Sequence, residues 1–252
     1  MTTITTSAST TGAYAGYIAD AQAKIATIQK ELSTGQKTLS AADQSTVTSL
    51  SAKATAFAAV DQSVADAQNI IKKAQSGLTS ITALLNRMSQ MAAQATTTGA
   101  DNAISFNFQQ LLTEAGKLTA DARVNGHNLL SGTAGLFVQT GTDGTPAAQT
   151  FVPSVNFYGV VTFGVLSGIG IETPTRAAQA VDALRTALPN VTSSQYSLGV
   201  SAKQLTAKAA ANDQQKTQAQ STIASLQNVD RAKLQAQLTA LQNKVDVYSL
   251  IN

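Results

Sequence analysis

Apolar or small residues recur at Tyr14, Ile18, Ala21, Ile25, Ile28 and Leu32, a four-three alternation that keeps one stripe on a single helical face. The spacing predicts a first amphipathic helix. Gly35 follows its last periodic residue as a natural C-cap, and Ser40 and Asp43 are turn formers leading into the next segment. The longest run comes next, at Phe57, Val60, Val64, Ala67, Ile71, Ala74, Leu78, Ile81, Leu85, Met88 and Ala92. An unbroken three-four alternation of that length predicts one helix of roughly 53 Å with a coiled-coil seam. Gly77 sits inside it at a cost of about 1 kcal/mol relative to alanine, too little to break the run.

After the TTTGADN turn, Phe108, Leu111, Ala115, Leu118 and Ala122 repeat the spacing, so a third helix is expected to fold back on the second. Asn125 and Gly126 end that helix with a dipeptide suited to positive φ. Between Gly132 and Thr173 the pattern changes. Runs at Leu136 to Gln139, Thr150 to Val155 and Tyr158 to Val165 read as two or three short strands, with TGTDGTPA at 140–147 closing a hairpin. Helical spacing returns from Ala177 through Val181, Leu184 and Leu188, and then meets Pro189, where a kink or break is expected. It resumes near Leu198 and Leu205 and sharpens at Leu234, Leu238, Leu241, Val245 and Tyr248. The fold class that follows is mainly α: an elongated antiparallel helical rod or coiled coil with a small β-hairpin region in the middle of the chain.

Two terminal heptad helices flanking a compact excursion meet only if the chain doubles back, which joins its two ends as a helix pair. A terminal helix with one apolar stripe and little charge buries too little surface alone, so partners are expected to order it. The mechanism this suggests is heterologous assembly, each surface meeting a different surface of the next copy so that the contact propagates without closing. Ile18, Ile25, Ile28 and Leu32 at one end and Leu234, Leu238, Leu241 and Val245 at the other are the residues expected to carry it.

Composition narrows the field further. Much of the 43% apolar content is alanine, only 5% is aromatic and tryptophan is absent, which suits thin helix packing. Net charge is +3, but only 12% of residues are charged, so the basic balance reflects few acids and argues against nucleic-acid binding. Without cysteine, disulfides and thiolate metal sites are excluded. The sequence MTTITTSASTTGAYAG has no basic region followed by an apolar one, and no stretch is long and apolar enough to span a bilayer. Neither Sec export nor a membrane anchor is expected.

Candidate chemistry is sparse. His127, the single histidine, falls in a turn without clustered carboxylates, and Asp61, Asp66, Asp101, Asp121 and Asp182 are scattered singly. Glycines at 159, 164, 168 and 170 lack the following Lys-Ser/Thr of a phosphate-binding loop. The chain is read as non-enzymatic, without cofactor or metal.

Three segments carry a family resemblance. LSTGQKTLSAADQS, residues 32–45, resembles the N-terminal signature of bacterial flagellins, with Gln44 in place of a second aspartate. QSVADAQNIIKKAQSGLTSITALLNRMSQMAAQATTTG, residues 62–99, is similar to the family's long helix and its turn, and VNGHNLLSG, residues 124–132, to the Asn-Gly turn after the third helix. The likeness is looser over 174–252, through AVDALRTAL, YSLG and the terminal Leu/Gln helix.

The resemblance implies a structural subunit of the flagellar filament. On this reading residues 1–32 with 225–252 form an inner-tube terminal domain, 33–132 with 174–224 an outer-tube rod domain, and 133–173 a β-hairpin region of that rod. Implied partners are other flagellin copies, hook-associated and cap proteins, the flagellar type III export apparatus and an export chaperone, with an extracellular destination. Arg87 and Glu114 match a patch that many flagellins use for subunit contacts and for recognition by Toll-like receptor 5. Ser89 and Gln90 replace its second arginine and following acid, so weak or no recognition by that receptor is expected. The alternatives are a hook-filament junction protein and a flagellin-like cell-surface receptor or adhesin.

Overall fold

The computed structural model describes residues 5–132, 134–157, 166 and 168–251, with side chains from residue 13 to residue 250 within those ranges. The elements are α1 (Thr5–Thr34), α2 (Ala41–Thr98), α3 (Asn102–Asp121), β1 (Arg123–Val124), β2 (His127–Asn128), β3 (Leu136–Gln139), β4 (Gln149–Val152), α4 (Pro174–Gln227) and α5 (Arg231–Ile251). The protein is thus mainly α, as the periodicity predicts, with two small antiparallel strand pairs among the described residues: β3–β4, inside the expected hairpin region, and β1–β2, which was not expected. Two compact units divide it: Met1–Ala54 with Lys216–Asn252, here the terminal unit, and Thr55–Gln215, the central unit.

In the central unit every residue of the long sequence stripe, from Phe57 to Ala92, is buried on one face of α2. This helix has 58 residues and is about 87 Å long. It stops at Gly99, whose φ of +78° is the left-handed C-cap conformation and whose N–H donates to the Ala95 carbonyl (2.8 Å). Two residues on, Asp101 caps α3 by accepting from the Ile104 N–H (2.8 Å). The reversal lays α3 antiparallel on α2, so that Gly77 faces Leu118 and Ala122. A β-carbon on Gly77 would stand 2.9 Å from Leu130 Cδ1. Close packing therefore accounts for a glycine that helix propensity alone disfavours.

The Asn-Gly turn is a two-residue hairpin, with Asn125 at φ +50° and Gly126 at φ +82° between β1 and β2. Its following residue does more than the pattern suggests. Asn128 Nδ2 donates to the carbonyls of Thr119 (2.8 Å) and Ala120 (3.1 Å), satisfying the end of α3, while Oδ1 accepts from the Leu130 and Ser131 N–H groups. Leu129 and Leu130 are thereby set into the core. β3 and β4 pair antiparallel from Leu136↔Val152 to Gln139↔Gln149, with the expected turn inside the loop between them. The second strand stops at Val152, short of the expected Val155, because Pro153 has no N–H to donate. Val138 and Val152 face the core, and Asn212 of α4 donates to the Thr140 carbonyl (3.2 Å), tying the hairpin to that helix. The strand read at Tyr158 to Val165 lies outside the described residues.

One expectation is corrected. No break occurs at Pro189: α4 runs unbroken from Pro174 to Gln227. Its buried stripe is Ala177, Ala180, Leu184, Ala187, Val191, Leu198 and Leu205, and Val181 and Leu188 are only half-buried beside it. Pro189 itself is exposed, and so is Arg185, whose carbonyl loses its helical donor and is left to water. Core contacts on both sides keep the segment helical through the proline against a local cost of about 3 kcal/mol. Pro189→Ala is accordingly expected to stabilise the protein by about 1–3 kcal/mol. Urea unfolding checks this, and an unchanged or lowered midpoint would contradict the account.

Candidate assembly interface

The terminal unit is built on α1 and α5, which lie antiparallel. Near one end, Gln36 and Asn228 form an antiparallel bridge, and the Lys37 N–H donates to the Gln227 carbonyl (2.7 Å). Towards the other end, Tyr248 stacks obliquely against Tyr14 and Tyr17, at centroid distances of 5.8 and 6.0 Å. The turn from α1 into α2 is held by Glu31, a buried carboxylate that accepts from the Thr38 N–H (2.7 Å). Past it, Ser40 Oγ accepts from the Asp43 N–H and donates to the Asp43 carboxylate, capping α2. Asp230 likewise accepts from the Lys233 N–H (3.0 Å) and starts α5.

The residues that the sequence nominates for assembly all face this pair, but few are covered. Ile28 is buried, whereas Ile18, Ile25 and Leu32 on α1 and Leu234, Leu238, Leu241 and Val245 on α5 remain half-buried. Among the described residues, Ala21, Ile28 and Ala219 are the buried apolar side chains of the terminal unit, while the central unit holds all the others. Tyr17 is 60% exposed and Leu250 87%. An open groove of about 430 Å³ runs between the helices, floored by Ile28, Ala240 and Leu241 and flanked by Lys24, Gln237 and Lys244. The Lys24–Asp20 ion pair on its edge (2.7 Å) is largely exposed and adds little stability. Charge is also segregated. The terminal unit has eight Lys and Arg against five Asp and Glu, and the central unit nine of each, so the whole net charge of +3 resides in the terminal unit.

Arg87 and Glu114 belong to the central unit, exposed on α2 and α3, and form no ion pair with each other. His127 is exposed on β2. Among the described residues no group of three or more His, Cys, Asp or Glu is placed to hold a metal ion, and no helix is long and apolar enough to cross a membrane. Two features escaped sequence reasoning. Glu31 carried a weak signal, an acid just before a Ser-Thr-Gly turn. The tyrosine contact carried none, because it joins residues from opposite ends of the chain.

Comparison with known proteins bears on the family and the fold. Residues 5–135, just over half of the chain, match the family model for the bacterial flagellin N-terminal helical region. No curated protein matches the chain. Among solved structures it is similar to the crystal structure of Bacillus cereus flagellin, with a TM-score of 0.50 and 17% identity, covering 59% of this chain and 87% of that one. At that identity the likeness speaks for the fold alone, and it is the family match, over the segment that carries α1, α2, α3 and the Asn-Gly turn, that shows the chain to belong to the bacterial flagellin family.

Proposed function

We propose that this protein is a self-assembling structural subunit of the flagellar filament, polymerising outside the cell through α1 and α5 into a helical tube that serves motility. The half-covered seam is the observation that carries the reading. Eight nominated residues line one antiparallel pair, yet only Ile28 is buried within a single copy. Covering such side chains contributes roughly 25 cal/mol per Å² of apolar surface, and the gain is available only when further helices pack against the pair. In this reading residues 1–32 with 225–252 form the inner tube, 33–132 with 174–224 the outer tube, and 133–173 the hairpin of the latter. Hook-associated and cap proteins, the type III export apparatus and a chaperone are the further partners, and recognition by Toll-like receptor 5 is weak or absent. Arg87 and Glu114, both exposed, are available for contacts between central units.

A seam left half-open should fold fully only on association. Hydrogen exchange on the soluble chain is expected to show rapid exchange over α1 and α5 beside a protected α2, with protection of both terminal helices appearing after seeding into polymer. Equal protection of α1 and α5 before and after seeding would contradict the proposal.

A further inference from the structure

Three of the five tyrosines converge in the terminal unit. Tyr14 and Tyr17 lie one turn apart on α1, and Tyr248 of α5 meets both, with rings tilted by 36° and 30°. Tyr17 is exposed, so a diffusing oxidant can reach it, while Tyr14 and Tyr248 are half-buried and held near it. No cysteine or tryptophan competes for oxidation. A phenol is oxidised by loss of one electron and one proton, and two neighbouring phenoxyl radicals combine faster than either diffuses to a distant partner, because proximity replaces a bimolecular encounter.

We infer that this cluster is an oxidative modification site, at which Tyr248 couples to Tyr14 or Tyr17 to form an intrachain dityrosine that staples α1 to α5. The oxidant is a peroxide acting through a peroxidase. Each phenol gives up one electron and one proton, a carbon–carbon bond forms between ring carbons ortho to the hydroxyls, and the ring hydrogens at those carbons shift to the oxygens. The two electrons and two protons reduce one hydrogen peroxide to two waters, leaving the chain lighter by two hydrogen atoms. The inference rests on the pairing of α1 with α5 and not on the assembly reading.

The test treats the full chain with hydrogen peroxide and a peroxidase, both in dilute solution and after seeding. Dityrosine fluorescence is expected in at least one of the two states. Trypsin should then release a cross-linked peptide joining the segment that ends at Lys24 to the one that follows Lys244, from protein that still migrates as a single chain on a denaturing gel. Tyr248→Phe should reduce that peptide to background, and Tyr196→Phe, at an exposed tyrosine of the central unit, should leave it unchanged. Absence of the peptide in both states, cross-links only between chains, or its persistence in Tyr248→Phe would overturn the inference. Failure to polymerise with the peptide still formed would count against the assembly reading alone.

Discussion

Leu238→Asp is expected to abolish filament formation while leaving the central unit folded. Leu238 lies midway along the half-buried stripe of α5, between Leu234 and Leu241, and belongs to the terminal unit, whereas the continuous core from Val60 to Leu205 lies in the other. Losing the leucine forfeits about 1.5–3 kcal/mol of apolar burial at each packed interface. Burying an unpaired carboxylate there costs several kcal/mol more. Because the same contact recurs in every added subunit, the penalty recurs with each addition and no length of polymer escapes it. Pelleting after seeding, together with circular dichroism of the unseeded chain, reads both halves of the expectation. Wild-type polymer yield from the mutant would remove Leu238 from the interface.

The second large effect is on stability. At Gly99→Ala the new residue would have to hold φ at +78°, and its β-carbon would collide with the backbone carbonyl of Glu172, in the segment that leads into α4. Backbone cannot step aside as a flexible side chain can, and the adjacent Ala100 N–H to Ile171 carbonyl hydrogen bond (2.9 Å) fixes the same crossing. Left-handed strain and overpacking together suggest a loss of about 3 kcal/mol or more, which for a unit of this size lowers the melting temperature by roughly 6–12 °C. Gly144→Ala separates the two causes, since Gly144 also has positive φ (+68°) but nothing near its missing β-carbon. It should cost about 1 kcal/mol. Equal melting temperatures for the two variants would show that the close approach to Glu172 contributes nothing.

What could be read from residues alone was the central scaffold. The stripe from Phe57 to Ala92 is buried throughout because a long helix in a single core imposes one period on the whole run. Leu136 to Gln139 emerged as a strand because its flanking glycines and polar turn isolate it. Local rules failed where tertiary packing overrides them. Pro189 does not break α4, since Leu184, Ala187 and Val191 are buried around it. β1 and β2 are each two residues long, too short to display any alternation, and no periodic pattern marks Asn128 as the residue whose four backbone hydrogen bonds hold the end of α3 and the segment after β2. In the candidate interface the seam residues were legible as periodic positions, but how far each is covered depends on which distant segment lies across from it. Glu31 and the contact of Tyr248 with Tyr14 and Tyr17 depend on the same pairing.

The central claim is that the two ends of the chain drive assembly. Its most direct test is electron microscopy of the seeded full-length chain beside a chain lacking residues 1–32 and 225–252. Long helical filaments are expected from the intact chain and none from the shortened one. Filaments of equal length and number from both would contradict it, and the failure of both to polymerise would move the hook-filament junction and surface-receptor readings ahead.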